Sequence, residues 1–496
     1  MAAKKFLLST LALTLTSTAL RLVGMGYRIY ISQQIGAAGM GLYQLIMSVY
    51  ALCKTFATAG LSVALTRLIG RQCSCGSRAG VRRILSSTLC WSALMGAMIG
   101  SVMFFGAGGL AGALVKQPAA ASSFRILAFG MPFMAMSACF SGYFLARGRV
   151  GGMCLAQVAE QVARIGFVVL ALDTAKDVPA QCHTIFTGNF LSEIVCCGTL
   201  FILYKADFAR LTCPQTRPFG DRFFGAFLAI VLPIAGTKCL TGFLHTAENL
   251  LVPVQIEKFT HDNATALSAF GALKGMALPV LMFPSSFLST VGALLIPEIS
   301  DAHVLRRADK IAALTQKALR ITFVPSLLIG GVFFTFAEPI ARLLYKSDEV
   351  AYMLRFLAPV VPFMYLDCIA DSLLKGLGQQ MSTLRYNMLD SSLRITLLFL
   401  LVPHSGINGF LIIMLISNTL VSVLELIRLL RVSEAKLPVK EIAFSLIAVL
   451  LGHLLCSPLL RGKSGILPLL LPGTLYLAVF AAVLFLGGIR LPKRNH

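Results

Sequence analysis

Four cations stand inside long apolar stretches with no acid within a turn of them: Arg21, Arg28, Lys54 and Lys274. Arg21 and Arg28 are seven residues apart, two helical turns, so they share a face. A guanidinium fork takes phosphate oxygens in pairs, and an ammonium adds a mobile point charge. These residue types predict a site for an anion, with phosphate the natural ligand. The competing reading is that acids on other helices, Glu248 and Asp367 among them, neutralise the four. Two further charge pairs carry their own partner. Glu160 with Arg164, and Asp390 with Arg394, are spaced i, i+4 and can close along one helical face, as structural ion pairs or as groups that couple transport. Arg125, Arg147 and Arg355 fall near the ends of apolar runs, where they can snorkel to headgroups and need no site role.

Covalent chemistry finds no footing. The chain has no Gly-rich phosphate loop, no HExxH and no Ser/His/Asp grouping, and His183, His245 and His453 lack ligand partners at fixed spacing. The thirteen Cys do not form a disulfide framework: Cys73 and Cys75 lie in a basic loop, and Cys196 and Cys197 lie within an apolar helix. Free thiols, no metal and no cofactor are expected, with energy drawn from the membrane potential or a monovalent cation. The expected class is transport, not an enzyme.

The elements that must position these charges are membrane spans. Hydrophobic residues make up 57% of the 496 and charged ones 13%, against roughly a quarter charged in soluble domains. A span needs about 20 apolar residues. Fourteen are expected, at 6–31, 42–66, 84–105, 124–145, 153–172, 182–204, 224–256, 267–296, 311–336, 352–374, 383–402, 407–430, 441–460 and 469–489. The Lys4 and Lys5 start resembles a secretory leader, but its apolar run continues past Arg21 and reads as the first span. The net charge of +22 is spread through loops rather than gathered in a domain, which argues against nucleic acid. Alternate segments hold 25 and 7 basic residues, which predicts an even span count with both termini cytoplasmic.

The two halves repeat. RILAFGMPFM from Arg125 matches RFLAPVVPFM from Arg355 at an offset of 230, and the same offset carries Glu160 and Arg164 onto Asp390 and Arg394. An offset of 229 pairs Gly188-Asn189-Phe190-Leu191 with Ser417-Asn418-Thr419-Leu420. The repeat unit is therefore six spans, and because six is even both copies enter the membrane in the same direction. The expected fold class is an all-α polytopic membrane protein with two six-helix lobes, 1–208 and 209–431, followed by two extra helices and a basic tail at 432–496. Such a design predicts a substrate between lobes. Prolines at 132, 233, 279, 284, 325 and 362 would bend spans and free carbonyls.

From Arg21 to Gly70 the residues are similar to the multidrug/oligosaccharidyl-lipid/polysaccharide exporter superfamily, in its sporulation and polysaccharide-flippase branch: Arg21-Leu22-Val23-Gly24, Arg28, Ile35-Gly36, Gly39, Gly41-Leu42-Tyr43 and Gly60-Leu61-Ser62-Val63-Ala64. Span order and Pro297-Glu298-Ile299-Ser300 extend the likeness. The resemblance implies a central cavity, alternating access by rocking lobes, and an anionic lipid-linked sugar as partner, above all the undecaprenyl-pyrophosphate precursor of peptidoglycan, moved outward within the bilayer beside envelope synthesis enzymes. It implies binding cations on spans one, two and eight, where Arg28, Lys54 and Lys274 fall, and a groove for the polyprenyl tail on spans thirteen and fourteen. The acid that follows the span-two cations in related flippases is absent from Phe56-Ala57-Thr58-Ala59-Gly60, which weakens the transfer to Lys54. The competing classes are a cation-coupled multidrug antiporter and a non-transporting scaffold.

Overall fold

The computed structural model describes residues 2–74, 77–175, 177–210, 223–460 and 467–488, and every regular element among them is helical. Cys75, Lys176, Arg217, Arg222, Arg461, Lys463 and the tail cations Arg490, Lys493 and Arg494 lie outside the described residues.

The first helix, α1 (Ala2–Thr58), has 57 residues. At about 1.5 Å per residue it is far longer than the roughly 30 Å a bilayer needs. It is two helices joined at Gly36, whose φ of 68° and ψ of −176° interrupt the helical geometry. A side chain at that φ would meet its own backbone, and glycine avoids the clash. The helices that follow are α2 (Leu61–Ser74), α3 (Arg78–Phe105), α4 (Ala121–Ala146), α5 (Val150–Ala171), α6 (Val178–Ala209) and α7 (Phe223–Thr260). The chain continues through α8 (Asn263–Phe270), a π-helical turn at Gly271–Ala277, α9 (Leu278–Met282), α10 (Ser285–Val304), α11 (Ala308–Thr335), α12 (Ala337–Tyr345), α13 (Asp348–Leu357) and α14 (Val361–Gly376). The last three are α15 (Gln380–Ser433), α16 (Val439–Leu460) and α17 (Leu467–Leu486). Helix α15 also joins two spans, at Gly406 with φ 57° just after Pro403.

Eleven stretches among the described residues are long and apolar enough to cross a membrane, and a shorter apolar helix covers Leu470–Leu486. Since α1 and α15 each supply two spans, this agrees with the expected fourteen. Two spans differ from the continuous helices the apolar pattern predicts. Span two breaks at Ala59 and Gly60, between α1 and α2: Gly60 has φ +81°, and a Cβ there would lie 3.1 Å from the Val231 backbone. Span eight passes through the π turn and breaks again at Phe283 and Pro284, where proline removes a helical donor.

The packing divides the chain into two units, 1–251 and 252–496. The first is organised around Leu65, Ile69, Ile84, Phe140, Tyr143, Leu200 and Phe227. Most of α7, as far as Leu251, belongs to it, and the Thr246 hydroxyl donates to the Ser48 carbonyl at 3.2 Å and Asn249 Nδ2 to Ser48 Oγ at 3.1 Å. The second unit buries Leu354, Tyr365, Leu373 and Phe410. Helices α16 and α17 pack on α11 through Val324, Ala448, Phe480 and Leu484 at one level and Phe336, Cys456 and Tyr476 at another. Leu450, Leu454 and Phe485 stay outward, as a hydrocarbon surround allows.

Candidate functional site: a charged cavity in the first unit

Helices α1, α5 and α6 enclose a cavity of about 400 Å³ lined by three cations, Arg28, Lys54 and Arg164, and two carboxylates, Glu160 and Glu193. Tyr27, Tyr43, Tyr50, Gln44, Gln161 and Asn189 complete its polar lining. Both acids are engaged. Arg164 Nη2 donates to Glu160 Oε1 and, at 3.2 Å, to Ser192 Oγ, while Lys54 Nζ stands 4.0 Å from Glu193 Oε1.

The donors are in the opposite condition. Tyr27 OH, Arg28 Nε and Arg164 Nε are buried with no acceptor, and no ion pair reaches Arg28 among the described residues. Each such buried orphan costs roughly 1–3 kcal/mol. Three on residues that line one cavity, under a formal surplus of one positive charge, suit a ligand that is all acceptors and that draws these side chains toward it. Phosphate oxygens have that character; a cationic drug would need free carboxylates.

Not all of the expected site residues meet in this cavity. Arg28 and Lys54 line it. Arg21 is exposed and outside the lining, which on that helix begins at Gly24. Lys54 has an acid after all, Glu193, across helices rather than along its own. Glu248 is buried in the first unit, away from the lining. Lys274 belongs to the second unit, on the π turn, with its ammonium 5.4 Å from the centre of the Phe410 ring. Such bulges recur at functional sites.

The two i, i+4 pairs form as expected but end differently. Arg394 Nε reaches Asp390 Oδ1 at 3.1 Å and Ser417 Oγ at 2.6 Å, its Nη2 reaches Asn418 Oδ1 at 3.3 Å, and Ser417 also donates to Asp390. That network closes on itself and clamps the two spans of α15. Its counterpart around Arg164, a residue of the cavity lining, leaves Nε buried without a partner. Glu193, the residue the charge spacing did not single out, is placed by packing of α6 on α1, and only its apolar surroundings in sequence hinted at it.

The second unit has an apolar cavity of about 340 Å³ between α11, α14 and α16, lined by Phe323, Leu327, Phe334, Pro362, Phe363 and Leu446 among others.

Fourteen spans and a charged chamber within them define a multi-pass membrane transporter of the multidrug/oligosaccharidyl-lipid/polysaccharide exporter superfamily. The chain belongs to the polysaccharide biosynthesis protein family, whose model matches residues 6–303; a MatE model matches 233–400. It is 23% identical over 466 residues to stage V sporulation protein B of Bacillus subtilis (strain 168), covering 92% of this chain and 90% of that one. It is 22% identical over 413 residues to lipid II flippase MurJ of the same organism, covering 76% and 73%. Among solved structures, lipid II flippase MurJ in an inward closed conformation superposes with a TM-score of 0.71 at 13% identity, over 97% of this chain and all of that one. An inward-facing multidrug resistance MATE family transporter gives 0.68 at 15% identity, over 86% and 99%. At such identities the superpositions speak to the fold alone.

Proposed function

We propose that this protein is a flippase that moves an anionic lipid-linked sugar, the undecaprenyl-pyrophosphate precursor of peptidoglycan or a related polysaccharide precursor, from the inner to the outer leaflet of a bacterial cytoplasmic membrane by alternating access. The observation that carries the reading is the set of three buried donors without acceptors, Tyr27 OH, Arg28 Nε and Arg164 Nε, in one cavity. A pyrophosphate supplies acceptors to all of them in charge-assisted bonds. Lys54 adds positive charge to the same cavity, and Lys274, on the π turn of the second unit, is a further substrate-binding cation in this reading. Spans two and eight, the second of each sequence half, are both broken, six residues after Lys54 and ten after Lys274. Interrupted spans at matching places in two halves are the pattern by which transporters expose backbone to substrate. The apolar cavity between α11, α14 and α16 is suited to a polyprenyl tail. Glu160 with Arg164 and Asp390 with Arg394 hold helices together, and the fold is driven by the membrane potential or a monovalent cation. Both termini lie in the cytoplasm, where envelope synthesis enzymes deliver the substrate.

Expression in a strain depleted of its peptidoglycan-precursor flippases tests this. Rescue that requires Arg28, with no gain in resistance to cationic dyes, is expected. Dye resistance without rescue supports the multidrug antiporter instead, and rescue that survives loss of every cavity charge supports a scaffold.

A further inference from the structure

We infer that Glu193 is the cavity's own counter-anion: an incoming phosphate takes Lys54 from it, and the released carboxylate binds a proton, so that headgroup binding and proton uptake occur together. This rests on the anionic-substrate reading above.

The geometry of the pair is what a displaceable contact requires. At 4.0 Å, Lys54 Nζ is an ion-pair neighbour of Glu193 but outside hydrogen-bond range. The lysine side chain is 49% exposed and the glutamate 10%, so the cation is the open end and the acid the closed one. Lys54 can turn to a ligand; Glu193 cannot follow into solvent. Around the carboxylate stand Tyr50 and Lys54 from α1, Glu160 and Arg164 from α5, and Cys196 and Cys197 on its own helix, with Cys139 of α4 beside Cys197. Arg164 is already held by Glu160 and Ser192. When Lys54 engages phosphate, Glu193 is left enclosed next to a second carboxylate without a cation of its own. An enclosed, uncompensated carboxylate is neutralised more cheaply than it is kept charged, and hydronium reaching it through the water of the cavity supplies the proton. The reaction is proton transfer alone, from hydronium to carboxylate.

The fold does not demand an acid at this place. At the 229 offset of the repeat, the second half has Ser422, whose hydroxyl donates to the Phe363 carbonyl at 2.7 Å. The second half has no acid at that register, its buried Glu425 falling one turn further along.

The full chain in nanodiscs is titrated calorimetrically with a short-chain prenyl pyrophosphoryl sugar, whose two phosphates keep one charge each around neutrality. Buffers of different ionisation enthalpy report the protons exchanged. Wild type is expected to take up about one proton per ligand bound. Glu193→Gln should bind about tenfold more tightly, an internal competitor having been removed, and take up none. Lys54→Met, which leaves nothing to displace, should also lose the uptake and guards against a Glu193→Gln protein that fails to fold. Binding that needs Arg28 but moves no protons, or a Glu193→Gln protein with unchanged affinity and uptake, overturns the inference and leaves the anion reading standing. A wild type that does not bind the probe, or binds it equally well as Arg28→Ala, removes both.

Discussion

Arg28 concentrates the account at the level of one side chain. Losing a charge-assisted contact costs about 1.5–3 kcal/mol, so Arg28→Ala should weaken headgroup binding by one to two orders of magnitude at normal abundance. Arg28→Lys should recover part of it, since a point charge cannot reproduce the fork. Arg125→Ala, at an exposed position, should be mild in the same binding titration. A second residue offers a pH test away from the site. Asp262 caps α8, accepting from the Thr265 amide at 2.9 Å, the Ala264 amide at 3.3 Å and the Thr265 hydroxyl. Those bonds, the Thr265 hydroxyl foremost, hold its carboxyl below the usual aspartate range. Its folded value being depressed, the cap contributes fully above the ordinary aspartate value and is lost as pH falls through the lower, folded one. Amide exchange at Ala264 and Thr265 should therefore stay slow through mild acid and accelerate below it, whereas Asp262→Ala should exchange fast at every pH. At this scale the sequence was a good guide to what is scarce. A cation without an acid one turn away is visible in a string of letters, and Arg28 and Lys54 were found that way. Glu193 was not, because the contact that gives it meaning runs between α1 and α6, which are more than a hundred residues apart in the chain.

Spans were legible because a bilayer imposes length and apolarity on each, and polar loops punctuate them. The joints were less so. Gly36 and Gly406 fall between the expected spans, at 32–41 and 403–406, but the helices run up to them from both sides. The break in span two was hidden in an apolar run, since Gly60 earns its place from positive φ and the nearness of Val231 rather than from polarity. Gly60→Ala should cost about 1–2 kcal/mol from the backbone alone, more if the Val231 contact cannot give, and lower the unfolding temperature in detergent. A Gly60→Ala protein as stable as wild type would mean that this break is not rigidly required. The clamp within α15 makes a second test. Asp390→Asn leaves Arg394 without its carboxylate in an enclosed place and should cost about 3–5 kcal/mol, while Asp390→Leu with Arg394→Met together should cost far less. A double-mutant cycle on thermal stability reads the difference; additive losses would contradict an ion pair that acts as a unit.

Across the whole molecule, repetition and asymmetry were both in the sequence, but only the first was easy to see. The 230 offset follows from matching letters, and the paired networks at Arg164 and Arg394 give it physical content. That one arginine is closed and the other open could not be read from spacing, because Ser417 and Asn418 reach Arg394 from the second span of α15. The uneven distribution of basic residues makes a claim at this scale too. Single cysteines at Arg71 and Lys436 in a cysteine-free background should be labelled only from the cytoplasmic side, and labelling of either from outside would overturn the orientation. In the proposed mechanism the unpartnered donors of Tyr27, Arg28 and Arg164 bind the phosphate of a lipid-linked sugar during its passage. The most direct test of this mechanism is leaflet-to-leaflet transfer of a fluorescent prenyl pyrophosphoryl sugar in proteoliposomes holding wild type or Arg28→Ala. Fast transfer by wild type and at least a tenfold loss in Arg28→Ala, at equal protein content, is the predicted result. Equal rates in the two, or transfer of a cationic dye in place of the sugar lipid, would contradict it.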